Sequence, residues 1–338
     1  MNAERSNTFS PILDGFGRVH SALRISVTDR CNIRCFYCMP DESIRFLPSR
    51  EILSFEEITS FVKVLAGMGV RKLRVTGGEP LVRSQLHKLI EQLVAIPGII
   101  DVALTTNGIL LEDQAQALRD AGLHRLNISL DTLREDVFQR ITRRAGLDRV
   151  LRGIARARHV GFDNIRLNAI AMADLTETEV IPLAEFARRD GLELRFIEFM
   201  PLDAEEAWQE GKVLSGSDIR QMLERRFGPL KPVPSEDPSQ PAKNYVYADG
   251  RGEVGLINPV TEPFCGACNR LRLTAEGKLR NCLFSTAEWD VRSLLRSDST
   301  DAEIASLVRD CVAAKKRAHG INGEEFQRPA KAMYQIGG

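Results

Sequence analysis

Two groups of three cysteines carry the chemistry most easily read from this chain. Cys31, Cys35 and Cys38 lie in CNIRCFYC with the spacing C-x3-C-x2-C, and Cys265, Cys268 and Cys282 follow C-x2-C-x13-C. Four cysteinates complete an ordinary four-iron cluster. Three leave one iron without a protein ligand, and an open coordination position marks a reactive metal rather than a structural one. Such an iron can hold a small chelating molecule and pass it an electron. Each trio also has a blander reading. The first could be a zinc loop that borrows His20 or Asp29, or three buried cysteines. The second could be a zinc ribbon completed by Cys311. Against the ribbon, Ile304, Leu307, Val308, Cys311 and Val312 form the i, i+3, i+4, i+7, i+8 stripe of a helix face turned to the core, so Cys311 reads as core.

Between Cys268 and Cys282 runs NRLRLTAEGKLRN, where period two puts Arg270 and Arg272 on one face of a strand. Two guanidiniums beside a cysteine-held metal suit an anionic substrate, because arginine matches phosphate bidentately. The alternative is a solvated basic strand face. Gly77-Gly78-Glu79-Pro80 offers backbone that a ligand can approach closely, with no Cβ in the way. The final Gly337-Gly338 suits threading into a crowded pocket. A frayed end is the plain alternative. A sulfur-carrier terminus is another, but it belongs to much smaller domains.

The elements that must hold these groups alternate. Strands are expected at 23–27, 72–76, 101–106, 125–130, 164–170 and 193–199. Helices are expected between them, the first opened by the capping box Ser54-Phe55-Glu56-Glu57 and running to about 67, the others near 84–95, 114–121, 149–159 and 179–189. Such βα units in series need crossovers, so the sheet is parallel. A full barrel takes eight units. Six leave a partial barrel or an open doubly wound sheet. TGGEP, TTNG, SLD and MPLD follow the strands, on the edge where parallel α/β folds place ligands. After a helix near 217–227, the proline-dense GPLKPVPSEDPSQPAKN reads as a linker or surface crossing. Hairpins follow, in YVYADGRGEVGLI and LRLTAEGKLRNCLF, then two helices, the second near 302–316. The expected division is 1–230 and 231–338.

Bulk properties exclude several classes. Lys+Arg and Asp+Glu are both 46, so the net charge is zero and no broad nucleic-acid-binding field is expected. No apolar run is long enough to span a membrane, and residues 1–15 lack a secretory h-region. A cytoplasmic, reducing setting is expected, where clustered cysteines are metal ligands or catalytic groups rather than disulfides.

The C-x3-C-x2-C loop after the first strand, together with GGEP after the second, resembles the radical S-adenosylmethionine enzymes. Adding LTTNG, NISLDTL, RFIEFMPL, PFCGACNRLRLTAEGKLRNCLF and the terminal Gly-Gly, the chain is similar to the GTP 3′,8-cyclase family, which opens molybdenum cofactor biosynthesis. The resemblance implies an α/β fold, a partial (βα)6 TIM-type barrel of parallel strands with a smaller C-terminal α+β module. It implies two 4Fe-4S clusters, the first on Cys31, Cys35 and Cys38 and the second, in that module, on Cys265, Cys268 and Cys282. The second open iron would meet guanine.

By position, Tyr37, Gly78, Ser129 and Met200 would contact S-adenosylmethionine. Arg24, Arg74, Thr105, Arg166, Arg270, Leu271 and Arg272 would contact GTP, with Arg195 a further candidate for the triphosphate. Arg270, Arg272, Gly337 and Gly338 would serve catalysis. The family pattern has lysine where this chain has Arg166, which keeps the charge and changes its shape. The implied reaction cleaves S-adenosylmethionine reductively, takes hydrogen from C3′ of GTP and joins C3′ to C8. The implied partners are an electron donor and the downstream cyclic pyranopterin monophosphate synthase, with no nucleic acid or membrane, and a monomer or homodimer. Two rivals are a radical enzyme that modifies a peptide with an auxiliary cluster, and a non-enzymatic metal-binding regulator. The arginine-bearing strands argue against the first. Zero net charge and GGEP argue against the second.

Overall fold

The computed structural model describes residues 10–39, 44–202, 208–321, 323–324 and 326–337. Six strands, β1 (Ala22–Ser26), β2 (Lys72–Thr76), β3 (Asp101–Thr106), β4 (Arg125–Ser129), β5 (Ile165–Ala171) and β6 (Glu193–Glu198), lie side by side in chain order and pair in parallel. A doubly wound sheet reverses its strand order. Here the order never reverses. Right-handed crossovers therefore set the helices on one face and curl the sheet about the other, as in a barrel. The helices are α1 (Phe55–Gly67), α2 (Leu86–Val94), α3 (Leu111–Asp120), α4 (Glu135–Thr142), α5 (Leu147–His159) and α6 (Val180–Asp190). The capping box forms: Ser54 Oγ accepts from Glu57 N and Glu57 Oε2 accepts from Ser54 N.

Period two sorts the strand side chains. Leu23, Ile25, Leu73, Val75, Leu126, Leu167 and Leu194 are at most 2% exposed and join the helices in one apolar core. The other face carries Arg24, Arg74, Thr105, Asn127, Ser129, Asn168 and Arg195. A barrel filled by Val, Ile and Leu is solid. This inner wall is polar, and it encloses a cavity of about 290 Å³.

The later chain extends both edges of the same sheet. After α7 (Gly216–Phe227), β7 (Leu230–Val233), β8 (Lys243–Tyr247) and β9 (Glu253–Ile257) form an antiparallel ribbon whose last strand pairs in parallel with β6. On the opposite edge β10 (Arg270–Leu273) pairs in parallel with β1, followed by β11 (Lys278–Arg280) and β12 (Trp289–Asp290). The twelve strands form one sheet. Because β9 runs with β6 and β10 runs with β1, residues 258–269 travel from the C-terminal rim of the strands to their N-terminal end. The β7–β8 connection crosses to the start of β2, where Lys72 Nζ donates to Asp237 Oδ2 at 2.5 Å. Then come α8 (Val291–Leu295), α9 (Asp301–Ala313), which packs on α1, and α10 (Met333–Ile336). No helix among the described residues is long and apolar enough to cross a membrane.

Ahead of β1 a small turn brings Asp14 onto Arg18 and His20. Asp14 accepts from the backbone N–H of Phe16 and of Arg18, and from Arg18 Nε. His20 is wholly buried, with Nδ1 3.1 Å from the Arg18 carbonyl and no hydrogen-bond partner for Nε2. Burial, then repulsion from Lys315, pulls its pKa down to about 4. The unfolded chain protonates this ring near pH 6.5, so below that pH the unfolded state binds more protons than the folded one. Stability should fall as pH drops from about 6.5 to about 4, by roughly 3 kcal/mol from this residue. His20→Asn, which keeps a donor near the Arg18 carbonyl, is expected to weaken that dependence. Thermal unfolding of both proteins at pH 7 and 4.5 checks it, and equal losses would refute it.

Candidate active site

Strand direction fixes an axis for the cavity. The Cys31–Cys38 loop follows β1 and GGEP follows β2, so both lie at the C-terminal rim. Cys265 and Cys268 precede β10, which runs with β1, and Cys282 follows the antiparallel β11. The second trio therefore lies at the opposite end. Both trios line the same cavity.

At the rim, Cys35 O accepts from Cys38 N and Met39 N, both at 2.9 Å, which turns the loop back on itself. Arg34 N and Phe36 N donate to Thr142 O and Ile141 O at the end of α4. Two backbone bonds stitch the GGEP loop to the strand end: Gly78 N to Thr28 O and Glu79 N to Arg30 O, both 2.7 Å. Glu79 is 1% exposed and joins two loops, accepting from Leu81 N, Thr106 Oγ1 and Asn107 N. Burial pushes its carboxyl up to about 7. Asn107 Nδ2 in turn donates to Asn32 Oδ1. Tyr37 donates its hydroxyl to Asp131 Oδ2, while Asp131 Oδ1 accepts from Ile170 N. Burial raises Asp131 to about 6. Cys31 is pushed up to about 11 by burial and by Glu79, so a bound metal rather than the protein must ionise it.

Among the described residues, no three His, Cys, Asp or Glu side chains converge on one ion. None of His20, Asp29 and Cys311 lines the cavity that holds the trios, and Cys311 is fully buried in the apolar core. A cluster spreads its cysteines over separate irons and asks for no such convergence. Three thiols with no fourth protein donor suit a group that leaves one iron open.

Between the trios stand the arginines. Register aligns Arg272, Arg24 and Arg74 on three adjacent strands, and Arg270 lies one pleat nearer the second trio. Arg195 enters from β6, with Nε donating to Glu193 Oε1. Burial, then Arg272 and Arg270, drives the pKa of Arg24 well down, and burial, then Arg24 and Arg195, does the same to Arg74. Arg272 falls to about 9, by burial and then Arg270. Stacked positive charge at this depth is unfavourable unless an anion enters. Thr105 Oγ1, buried on the same wall, has no hydrogen-bond partner.

The second trio sits among cations. Arg270 Nε and Nη2 are each 3.4 Å from Cys268 Sγ, and Lys315 Nζ is 3.5 Å from it. Although burial alone would raise Cys268, Arg270 and Lys315 bring it down to about 6. Cys268 is thus drawn toward the thiolate, while burial raises Cys265. Phe264, Phe284, Leu283 and His319 line the cavity around it, an apolar and aromatic end suited to a flat ring.

The chain's tail enters the same space. Gly337 accepts a hydrogen bond at its carbonyl from Arg272 Nη1. Its φ is +81°, and a Cβ there would come within 3.0 Å of Ser26 Cβ and Thr76 Cγ2, so only glycine fits. Gly338 lies outside the described residues.

Of the site residues expected from sequence, all six cysteines of the trios, Tyr37, Gly78, Ser129, Met200, Arg24, Arg74, Thr105, Arg270 and Arg272 line the cavity. Arg195, the secondary candidate, does too. Arg166 and Leu271 do not. Arg166 pairs with Glu193 at 2.6 Å at the N-terminal ends of β5 and β6, and Leu271 points outward into the helix-side core. Sequence reasoning passed over Glu79, Asn107, Asp131 and Lys315 as individuals. The first three sat in quoted loops, where an acid or amide just past a strand was the available signal. Lys315 had none, since its helix-end position predicts a solvated charge.

Comparison with known proteins identifies two regions of the chain. Residues 25–187 match the family model of the radical SAM superfamily, and residues 192–321 match the model named Molybdenum Cofactor Synthesis C. The chain is similar to a GTP 3′,8-cyclase of Rhodopirellula baltica, 50% identical over 98% of this chain and 94% of that protein. It is 44% identical to a GTP 3′,8-cyclase of Pelotomaculum thermopropionicum, over 96% of this chain and 99% of that one. Molybdenum cofactor biosynthesis protein 1 of Drosophila melanogaster is 41% identical over 92% of this chain and 54% of its own length. Among solved structures, SuiB of Streptococcus suis bound to S-adenosylmethionine superposes with a TM-score of 0.60 at 13% identity, covering 93% of this chain and 77% of that one; at that identity it speaks to fold alone.

Proposed function

This chain belongs to the GTP 3′,8-cyclase family of radical S-adenosylmethionine enzymes, and from that membership we propose how its lumen converts GTP to (8S)-3′,8-cyclo-7,8-dihydroguanosine 5′-triphosphate, the first step of molybdenum cofactor biosynthesis. When bound on Cys31, Cys35 and Cys38, a 4Fe-4S cluster with S-adenosylmethionine supplies the one-electron cleavage that starts the reaction.

The chain's own groups do the rest of the positioning. Gly77 and Gly78 line the lumen with backbone while their bare Cα atoms pack against Thr28 and Arg30, and Tyr37, Ser129 and Met200 stand around the same space. Arg24, Arg74, Arg195 and Arg272 take the triphosphate, whose charge relieves their repulsion. With the phosphates held on that wall, the ribose that joins them to the base faces the first trio and the base faces Cys265, Cys268 and Cys282. We assign the second 4Fe-4S cluster to that trio. Phe264 and Phe284 flank the base there. Residues 258–269, the β7–β8 connection and the tail wall the lumen and keep water from reactive species. A separate electron donor and a downstream cyclic pyranopterin monophosphate synthase complete the proposed sequence.

The observation that carries this reading is the line of arginines between two open cysteine trios, with no carboxylate paired to Arg24 or Arg74 among the described residues. Its test is an anaerobic incubation of reconstituted protein with dithionite, S-adenosylmethionine and GTP, read by mass spectrometry. A product isobaric with GTP but separately retained, formed only with GTP and alongside 5′-deoxyadenosine, is expected. Deoxyadenosine without that product would remove the GTP assignment.

A further inference from the structure

Lys315 is a buried ammonium that the reaction as described does not use. It is 5% exposed, just beyond α9, and its Nζ donates to the Arg270 carbonyl at 3.0 Å and to Cys268 Sγ at 3.5 Å. The negative groups acting on it are the sulfurs of Cys268 and Cys282. A charge buried this deeply needs a lasting counter-charge. A neutral thiol offers none. Metal-bound thiolates do.

Two features separate Lys315 from the other cation on the same sulfur. Arg270 lines the cavity and is free to answer a substrate, whereas Lys315 is not among the lining residues. Lys315 is also fixed in place. Its backbone N–H donates to Val312 O. The carbonyls of the two following residues, Lys316 and Arg317, accept from Arg18 Nη2 and Nη1, and Arg18 Nη1 also reaches Cys265 O. One guanidinium thus binds the lysine's segment to the cysteine loop it faces.

We propose that Lys315 is a positioning residue for the second metal centre that sets its electron affinity through the hydrogen bond to Cys268. This rests on the assignment of a cluster to Cys265, Cys268 and Cys282. Reduction adds one negative charge to such a centre, and a fixed cation at a ligand sulfur stabilises that state more than the oxidised one. The lysine therefore makes the centre easier to reduce, whatever occupies the lumen.

The test uses the full chain carrying Cys31→Ser, Cys35→Ser and Cys38→Ser, reconstituted anaerobically, so that only the second centre titrates. Iron and sulfide are counted, and the midpoint potential is read by electron paramagnetic resonance, with Lys315, Lys315→Met and Lys315→Arg compared. The expected result is retained iron, a midpoint displaced to lower potential in Lys315→Met, and one close to the parent in Lys315→Arg. An unchanged midpoint with iron retained overturns the proposal. So does loss of iron in Lys315→Met, which would make the lysine a holder of the centre rather than its tuner. A parent without iron would remove the second centre itself, a separate failure seen before any substitution at 315 is compared.

Discussion

Replacing Arg24 and Arg74 together by methionine is expected to make the empty protein more stable while stripping it of GTP affinity. Both side chains stand on adjacent strands at paired register, both face the lumen, and neither has a carboxylate partner among the described residues. In the empty barrel they repel each other and Arg272. Methionine keeps the length and removes the charge, so unfolding should shift upward by roughly a few degrees. With GTP the sign reverses. A hydrogen bond to a charged group is worth about 1.5–3 kcal/mol, so losing two weakens binding by about two to four powers of ten. Calorimetric titration of GTP and a thermal scan on the same samples check both halves. Unchanged affinity would mean that the phosphates lie elsewhere. Stability that falls would mean that the arginines are satisfied without a ligand.

Gly78→Ala should be nearly as damaging by a different route. A Cβ on Gly78 would fall 2.7 Å from the Arg30 carbonyl carbon and 2.9 Å from Asp29 O. Those atoms are backbone and cannot swing aside. The two loops they belong to are joined by the 2.7 Å bonds from Gly78 N and Glu79 N, so the alanine must push the Cys31–Cys38 loop away from GGEP. Glu79 would then lose its aim at Leu81, Thr106 and Asn107, leaving buried donors unmet at about 1–3 kcal/mol each. Formation of 5′-deoxyadenosine should drop by at least about two powers of ten, since misplacement near 1 Å already costs that much. Gly211→Ala, where a Cβ meets nothing within 4 Å, is the control. Equal activity in the two variants would disprove the clash.

The parallel core was legible because its signals are local. The strands expected at 72–76 and 101–106 are β2 and β3 residue for residue, and the capping box opens α1 where Ser54 and Glu57 put it. α4 escaped because its N-cap residue, Arg134, supplies no capping side chain. The hairpins after residue 242 were visible from their turns. Their attachment to β6 and β1 was not, because a parallel pairing between strands distant in sequence leaves no short-range mark. The site followed the same division. Cysteine spacing and glycine runs are properties of neighbours in sequence, and they showed. The ion pair that occupies Arg166 needed Glu193 on the next strand, and the charge on Lys315 needed Cys268, so both waited for the fold.

The pairing of Ala22 with Arg270 and of Arg24 with Arg272 also sets a timetable. During synthesis β1 and the first cysteine loop emerge early, yet the outer edge of β1 stays unpaired until β10 is made. Closing so long a stretch of chain is slow, because the entropy of joining distant segments must be met before any contact repays it. Until then the arginine wall lacks Arg272, the tail has no anchor and the lumen has an open side. The chamber between the two cysteine clusters cannot exist on a half-made chain; it is finished only as the last strands arrive.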